Sequence, residues 1–355
     1  MLYYMIKPYV TYERLRSMVF SSMLFVFLFL AANLLTQYLI KDVRKKNIVM
    51  LAFSLVFYGW AGPRYLLLLL LMVAICWIGA LMTERNREKT RRKRAMILTV
   101  AACLVILGIF KYLGFLLGTL KAVIGVPEVV PKIVLPIGIS FYTFQLISYV
   151  VDVYRGEVEA QRQYWKLLLY ASLFHQCIAG PIVRYKDVAM DLEARKMTLK
   201  ETSAGISRFT VGLAKKAILA NGCAAIADSF LAGTADTLAK VPAMGILLGM
   251  FVYTLQIYLD FSAYSDMAIG MGLMCGLHYK ENFDYPYTSR SISEFWRRWH
   301  ISLGSFFRDY VYIPLGGNRC SSRRQLINLF IVWFLTGLGT APAGISFCGA
   351  CSSVS

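Results

Sequence analysis

Apolar runs of about twenty residues recur along most of this chain, and that feature constrains the fold more than any other. Such a run is long enough for an α-helix to cross the hydrocarbon core of a bilayer. The composition agrees, because 58% of the 355 residues are hydrophobic, 16% are charged and the mean hydropathy is +0.56. Soluble domains do not have this pattern. We predict an all-α, multi-pass membrane protein with roughly eight to ten spanning or re-entrant helices.

The basic residues cluster in short loops between the apolar runs, and the formal net charge is +18. Two basic loops, residues 41–46 (KDVRKK) and 84–94 (ERNREKTRRKR), lie two predicted spans apart, so both face the same side. This is the positive-inside pattern, which places them in the cytoplasm. We therefore expect a protein of the inner (cytoplasmic) membrane, in contact with the lipid bilayer, and no nucleic-acid partner.

Residues 283–319 combine a histidine, several arginines and many aromatic side chains beside long apolar segments. On a single helix at about 100° per residue, eight apolar side chains share one face: Ile292, Phe295, Trp296, Trp299, Leu303, Phe306, Phe307 and Tyr310. Glu294 and Arg298 lie one turn apart on the other face, where they can form an ion pair. We predict a helix at the membrane interface or in a polar cavity between spans. His300, at the margin of the apolar face, is a functional candidate in that setting.

Two carboxylates, Asp260 and Asp266, lie within the apolar segment 243–276. Their spacing of six residues does not place them on one helical face unless the helix breaks between them, and the nearby serines and glycines permit a break. Carboxylates at membrane depth need cationic partners. We predict that Arg297 and Arg298 supply them.

Other polar residues in apolar segments have structural interpretations. Gln145, Tyr149 and Asp152 are three or four residues apart, which predicts a polar stripe that faces protein or a cavity rather than lipid. His175, near the end of the predicted span 164–183, is expected to be a packing residue. His278 lies in a polar loop and is expected at the surface or as a helix cap.

Four segments in succession resemble one known family: PIGISFYTFQLISYVVDVYRG, QCIAGPIVRY, LDFSAYSDMAIGMG and FDYPYTSRSISEFWRRWHISLGSFFRDYVYIPLGGNR. They occur in this order in the membrane-bound O-acyltransferase (MBOAT) family, and the chain is most similar to its alginate O-acetylation branch. The resemblance covers most of residues 18–338. Any one motif would be weak evidence, but several in the same order are specific.

The resemblance implies a ring of helices around a thinned centre, with a tunnel that receives the acyl donor. It implies transfer of an acyl group, acetyl in this branch, from a cytoplasmic thioester to hydroxyl groups of an extracytoplasmic polysaccharide. The donor, acetyl-CoA or an acyl carrier, is a substrate, and no bound cofactor or metal is expected. Members of this branch often work with a separate extracytoplasmic acetyltransferase.

The resemblance also assigns roles to residues. Of two histidines commonly cited in the family, one corresponds to His300, here a supporting catalytic group. The other, regarded as the principal one, belongs to a Trp-His-Gly motif farther along the chain. Tunnel-wall or network roles fall to a further set of residues: Trp296, Arg297, Arg298, Trp299, Asp309, Tyr312, Asp260 and Asp266.

The sequence departs from the family after Leu338. The family motif resembles FLTGLWHGASW, whereas this chain reads WFLTGLGTAPAGISFCGACSSVS from Trp333. Residues 339–355 can be encoded by a set of codons that reads WHGASWNFVLWGLFFRF once a single base is added after the Leu338 codon. We therefore hypothesise that one base was lost there and the reading frame slipped. The alternative is a natural C-terminus that has diverged from the family. Under the slip, Cys348 and Cys351 have no metal or redox meaning, and we expect this chain not to transfer acyl groups.

The expected organisation follows from these observations. Residues 1–17 differ from the segment that begins at Met18 and are expected to be a non-native leader. Residues 18–338 form an incomplete MBOAT-like transmembrane domain, and residues 339–355 are the frameshifted tail. Two other functions remain open: a non-catalytic scaffold of polysaccharide export, and a transporter that uses Asp260 and Asp266 as ion relays. Inverted repeats, which many transporters have, are not visible in the sequence.

Resequencing the source DNA across the codons for Trp333 to Ser355 tests the frame-slip hypothesis. We expect one additional base, which restores Trp-His-Gly and further apolar segments. An unchanged DNA sequence would contradict the hypothesis and favour a natural end.

Overall fold

The computed structural model describes residues 19–124, 136, 138–176, 180–233 and 238–340, and this part of the chain is helical with no strand. In chain order the helices are α1 (Leu24–Leu39), α2 (Val43–Ala61), α3 (Pro63–Arg85), α4 (Lys89–Ile124), α5 (Ile139–Arg155), α6 (Tyr164–Ser172), α7 (Tyr185–Ala194), α8 (Leu199–Leu231), α9 (Ala243–Met274), α10 (Ile292–Arg298), α11 (Ile301–Phe307) and α12 (Ser322–Thr340). The leader predicted at residues 1–17 and the tail from residue 341 onward, with Cys348 and Cys351, lie outside the described residues.

Four described helices are long and apolar enough to cross a membrane: α3, the part of α4 from Lys89 to Gly114, α8 and α9. Helix α1 is also apolar but shorter. This arrangement confirms the predicted all-α, multi-pass membrane architecture, and the four long helices are part of the expected set of roughly eight to ten.

The polar stripe predicted on α5 is buried, as expected. Gln145, Tyr149 and Asp152 are at most 2% exposed. The Tyr149 hydroxyl accepts a hydrogen bond from the backbone N–H of Gln161 at 2.8 Å, and Asp152 Oδ1 accepts one from the Tyr310 hydroxyl at 2.7 Å. Buried polar groups require such partners, so the stripe connects α5 to two other parts of the chain.

The predicted span 164–183 is wrong, because its helix ends early. Helix α6 ends at Ser172, and a short 3₁₀ turn, Phe174–Gln176, follows. The Gln176 side chain donates to the carbonyl of Tyr170 at 2.8 Å, and the Ser54 hydroxyl accepts from the N–H of Phe174 at 3.3 Å. These side chains satisfy the backbone groups that the helix end leaves free.

Helices α8 and α9 pack with their backbones in direct contact. A Cβ atom added at Gly205 would lie 2.6 Å from the carbonyl oxygen of Gly270, and one added at Gly212 would lie 2.8 Å from that of Ala263. In each helix the two contact residues are seven positions apart, about two turns, so they share a face. Small residues permit this close approach of helices in membranes, and the approach brings the polar side chains of α8 within reach of α9.

We predict that Gly212→Ala destabilises the protein by about 1–3 kcal/mol, because the added methyl group would overpack the contact with α9. The matched control on the same helix is Gly222→Ala, where nothing lies within 4 Å of an added Cβ. The control should be neutral or stabilising by up to about 1 kcal/mol, since alanine favours helix more than glycine does. Thermal unfolding followed by circular dichroism measures both. Equal melting temperatures for the two variants would contradict the packing.

Candidate active site

His300 lies at a break between α10 and α11, where the sequence predicted one continuous helix. Helix α10 ends at Arg298, and His300 has φ +47° and ψ +53°, in the left-handed region. This conformation is uncommon for residues other than glycine and often marks functional sites. The prediction of a single helical face across residues 292–310 is therefore wrong.

Residues 282–284 stabilise the break by hydrogen bonding to the backbone on both sides of it. The N–H of Asp284 donates to the carbonyl of Arg298 at 3.0 Å, and the N–H of Ile301 donates to the carbonyl of Asn282 at 2.9 Å. The backbone groups that a continuous helix would have paired internally thus have other partners. The apolar periodicity did not reveal the break, because these partners lie outside the helices.

The His300 ring is buried against two aromatic rings. Its residue is 7% exposed, and the ring centroid lies 4.7 Å from that of Phe261, which it meets edge-on, and 6.5 Å from that of Phe283. Nδ1 is 3.0 Å from Oδ1 of Asn282. Nε2 makes no hydrogen bond with any residue that the structure describes.

Burial also decides the charge of this histidine, which lies outside the four candidate spans. Loss of solvation lowers the pKa of His300 to about 3, because a dry environment disfavours the charged imidazolium. The ring is therefore neutral near pH 7. A neutral imidazole whose Nε2 lacks a protein partner can accept a proton or a hydrogen bond from a substrate hydroxyl.

The two predicted wall tryptophans lie in different surroundings. Trp299 packs within an aromatic cluster beside His300, with ring centroids 5.1 Å from Phe283 and 5.6 Å from Phe295. Trp296 is 43% exposed and packs edge-on against Trp333 of α12 at 5.0 Å. Only Trp299 is thus placed next to the candidate site.

The sequence predicted that the arginines of α10 pair with the membrane carboxylates, and this prediction is wrong. Arg298 instead forms the predicted ion pair with Glu294 at 2.7 Å, and Arg297 is exposed. Asp260 pairs with Lys216 at 2.7 Å. The cations on α8 lie close enough to pair with these carboxylates, because α8 and α9 are in backbone contact.

Asp266 also pairs with α8, in an ion pair with two cations. Its carboxylate lies 2.5 Å from Lys215 Nζ and 2.9 Å from Arg208 Nη2. Helix α9 is continuous from Ala243 to Met274, so the break that the serines and glycines would permit between the carboxylates does not occur. Lys215 and Lys216 are adjacent in α8, and their long side chains reach carboxylates on different sides of the unbroken helix.

Asp309 and Tyr312 lie at another polar cluster. Asp309 accepts hydrogen bonds from Arg184 and Arg308, each at 2.8 Å. It helps to line an open cavity of about 490 Å³ whose other lining residues are Arg155, Glu157, Lys186, Ile313 and Pro314. Tyr312, which directly precedes Ile313, donates to Asn318 at 2.6 Å and is not itself among the residues that line the cavity.

The structure adds site residues that sequence reasoning missed. Beside His300, Asn282 donates to the Ser265 hydroxyl and accepts from the Ser302 hydroxyl. Beside the cavity, the Tyr310 hydroxyl donates to Asp152. No periodic signal could have found Asn282, because it lies in a loop. Tyr310 was assigned only to an apolar helical face, although its hydroxyl group needs a partner when buried.

The other two histidines behave as expected. His175 is fully buried, and its Nδ1 lies 3.1 Å from the Tyr279 hydroxyl. His278 is at the surface, 3.1 Å from Asp191 and 3.3 Å from Glu201. Partial burial opposes its protonation, but the hydrogen bonds to the two carboxylates outweigh this and raise the pKa of His278.

Comparison with known proteins connects this geometry to a family. Residues 159–338 match the model of the membrane-bound O-acyltransferase family, and this range contains His300, Asn282 and both membrane carboxylates. A protein of Pseudomonas aeruginosa described as "Probable alginate O-acetylase AlgI" is 44% identical over 326 residues, which are 90% of this chain and 62% of that protein.

Two relatives with other named activities are also similar. The peptidoglycan O-acetyltransferase of Helicobacter pylori is 30% identical over 364 residues, covering 94% of this chain and 68% of that protein. The teichoic acid D-alanyltransferase of Bacillus subtilis is 32% identical over 181 residues, covering 50% and 45%. The chain spans 62–66% of the length of the alginate O-acetylase relatives. The chain belongs to the membrane-bound O-acyltransferase family.

Proposed function

We propose that this protein takes part in transfer of an acyl group, acetyl in this branch, from a thioester donor to hydroxyl groups of an extracytoplasmic polysaccharide at the cytoplasmic membrane. Relatives named for alginate, peptidoglycan and teichoic acid support an acceptor of this class. The observation that carries the proposal is the buried, neutral His300, with Nδ1 held by Asn282 and Nε2 without a protein partner.

The chemistry requires a group that accepts a proton from a weak nucleophile. A sugar hydroxyl attacks the thioester carbonyl, a C–O bond forms, the C–S bond breaks, and the hydroxyl proton finally goes to the thiolate that leaves. His300 Nε2 is suited to accept the hydrogen bond of that hydroxyl and to orient its oxygen. We assign His300 this supporting role, and the dry aromatic surroundings strengthen each electrostatic interaction at the site.

We propose that the donor approaches from the cytoplasmic side, near the cavity lined by Arg155. The loop that carries the basic block 84–94 lies beside this end of α5, since Arg92 donates to the carbonyl of Val153 at 2.9 Å and Glu84 accepts from the N–H of Ala160 at 2.9 Å. The positive-inside rule puts that loop in the cytoplasm. Arg155 and Lys186 line the cavity together with Glu157 and Asp309, and the two cations suit the phosphate groups of acetyl-CoA or of an acyl carrier.

The transporter alternative is less well supported. Asp260 and Asp266 are each paired with cations of α8, so neither carboxylate is available as a solitary ion relay. The scaffold alternative predicts no transfer at all.

A separate extracytoplasmic acetyltransferase, as in the family branch, would receive the acyl group on the extracytoplasmic side of the membrane or pass it on there.

We predict that His300→Gln lowers kcat for acetyl transfer at least about 100-fold, because the hydroxyl loses the group that accepts its hydrogen bond and orients its oxygen. Two membrane samples are prepared, one with this chain and one with the product of the resequenced gene. Each is supplied with radiolabelled acetyl-CoA or acetylated acyl carrier. Ester-linked acetyl groups on polysaccharide are counted. His278→Gln, a change of the surface histidine, is the matched control and should stay within about twofold, as surface changes usually do. Equal activity of both variants would refute the role of His300, and no transfer by any protein would favour the scaffold.

We further predict that Arg155→Ala raises KM for the donor about tenfold, because charge-assisted hydrogen bonds to phosphate contribute about 1.5–3 kcal/mol. The change should leave kcat within about twofold, because it removes a contact that binds the donor equally well in the ground state and in the transition state. Arg87→Ala removes an exposed arginine from the basic block outside the cavity and serves as control. A fall in kcat at unchanged KM would contradict donor binding at this cavity.

A further inference from the structure

We propose that Asn282 is a positioning residue: it holds the His300 ring in the tautomer protonated at Nδ1 and thereby presents Nε2 as a hydrogen-bond acceptor. The role of Asn282 in acyl transfer rests on the proposed function. The tautomer itself is a property of the folded chain and can be measured without any reaction.

The Asn282 side chain is fully buried and makes four hydrogen-bonding contacts. Its Oδ1 lies 3.0 Å from His300 Nδ1, 2.8 Å from the Ser302 hydroxyl and 3.3 Å from the Ser302 backbone nitrogen. Its Nδ2 donates to the Ser265 hydroxyl at 3.0 Å. The amide therefore connects α9, the loop before α10 and the start of α11 at one point.

The backbone of Ser302 determines which way the Asn282 amide points. An amide side chain can present either its oxygen or its nitrogen to a neighbour, and the neighbour's chemistry decides which. The N–H of Ser302 can only donate, so the atom that it meets must be the oxygen of Asn282. That oxygen can only accept, and the His300 nitrogen facing it must carry a proton.

A second hydrogen bond supports this orientation. The Ser302 hydroxyl accepts from the backbone N–H of Ile182 at 2.9 Å, which leaves its own proton for Asn282 Oδ1. In a neutral imidazole only one nitrogen carries a proton. Protonation at Nδ1 therefore leaves the lone pair at Nε2, the atom without a partner among the described residues.

An amide is suited to this task where a carboxylate would not be. Carboxylates beside histidine stabilise the charged imidazolium, whereas a neutral amide fixes the ring and its tautomer without adding charge. His300 has no carboxylate partner among the residues that the structure describes. The aromatic rings of Phe261 and Phe283 complete its surroundings.

Solid-state ¹⁵N NMR of protein in lipid bilayers, labelled at histidine nitrogen, tests the proposal. The chain has three histidines, and the signals lost in His300→Gln assign the ring. We expect a protonated Nδ1 and an unprotonated Nε2 in the unchanged protein. Asn282→Ala should shift the population toward protonated Nε2, whereas the near-isosteric Asn282→Asp should retain the proton at Nδ1. A protonated Nε2 in the unchanged protein, or an unchanged tautomer in Asn282→Ala, would overturn the proposal.

Two controls separate positioning from folding. Asn328→Ala removes another buried asparagine, which bonds to Leu315 and Cys320, and should leave the His300 signals unchanged. If Asn282→Ala fails to fold, Ser265→Ala removes only the second bond of the amide and should retain the tautomer while broadening the His300 signals. A protonated Nε2 in that variant, or His300 signals as narrow as those of the unchanged protein, would refute the role of Asn282.

Kinetics then test the catalytic meaning. Asn282→Ala should lower kcat by about 10–100-fold, as loss of a supporting contact typically does, with KM unchanged and partial rescue by Asn282→Asp. If neither this chain nor the product of the resequenced gene transfers an acetyl group, the proposed function fails and the NMR result alone decides the tautomer. Full kcat in Asn282→Ala, in a protein that does transfer acetyl, would overturn Asn282 as a positioning residue.

Discussion

The hydrogen bonds between residues 282–284 and the break at His300 determine the geometry of the candidate site. They satisfy backbone groups on both sides of the break, and the same segment supplies the Asn282 side chain. Without them, α10 and α11 could join into one amphipathic helix, and His300 would lie at the margin of its apolar face. Because of them, the ring turns toward Phe261 and Phe283, becomes buried and stays neutral.

Close packing of α8 against α9 provides the frame for this arrangement. Glycines bring the two backbones into contact, and the ion pairs of Asp260 and Asp266 cross the same interface. Breaking one partner of a buried pair is costly, so these charges are expected to hold the helices in register rather than to move ions. Helix α9 also supplies Phe261 and Ser265, which contact His300 and Asn282 directly. The frame and the site are thus parts of one packed unit.

Sequence reasoning succeeded where the physics is local. Hydropathy predicted the membrane helices, residues one turn apart predicted the pair of Glu294 and Arg298, and polar periodicity predicted the buried stripe on α5. It failed where distant segments decide the outcome. The break at His300 depends on a loop, and the partners of the carboxylates lie some fifty residues upstream on α8. Asn282 could not be found, because a single loop asparagine has no pattern.

The central claim is that His300 presents Nε2 to the reacting groups in a neutral, aromatic site. A structure of the protein in lipid nanodiscs with a non-hydrolysable acetyl thioester analogue would test it most directly. We expect the acetyl carbonyl on the Nε2 side of the ring, with room for an acceptor hydroxyl about 3 Å from Nε2, directly or through one water. An analogue bound elsewhere, with Nε2 engaged by a protein group, would contradict the account.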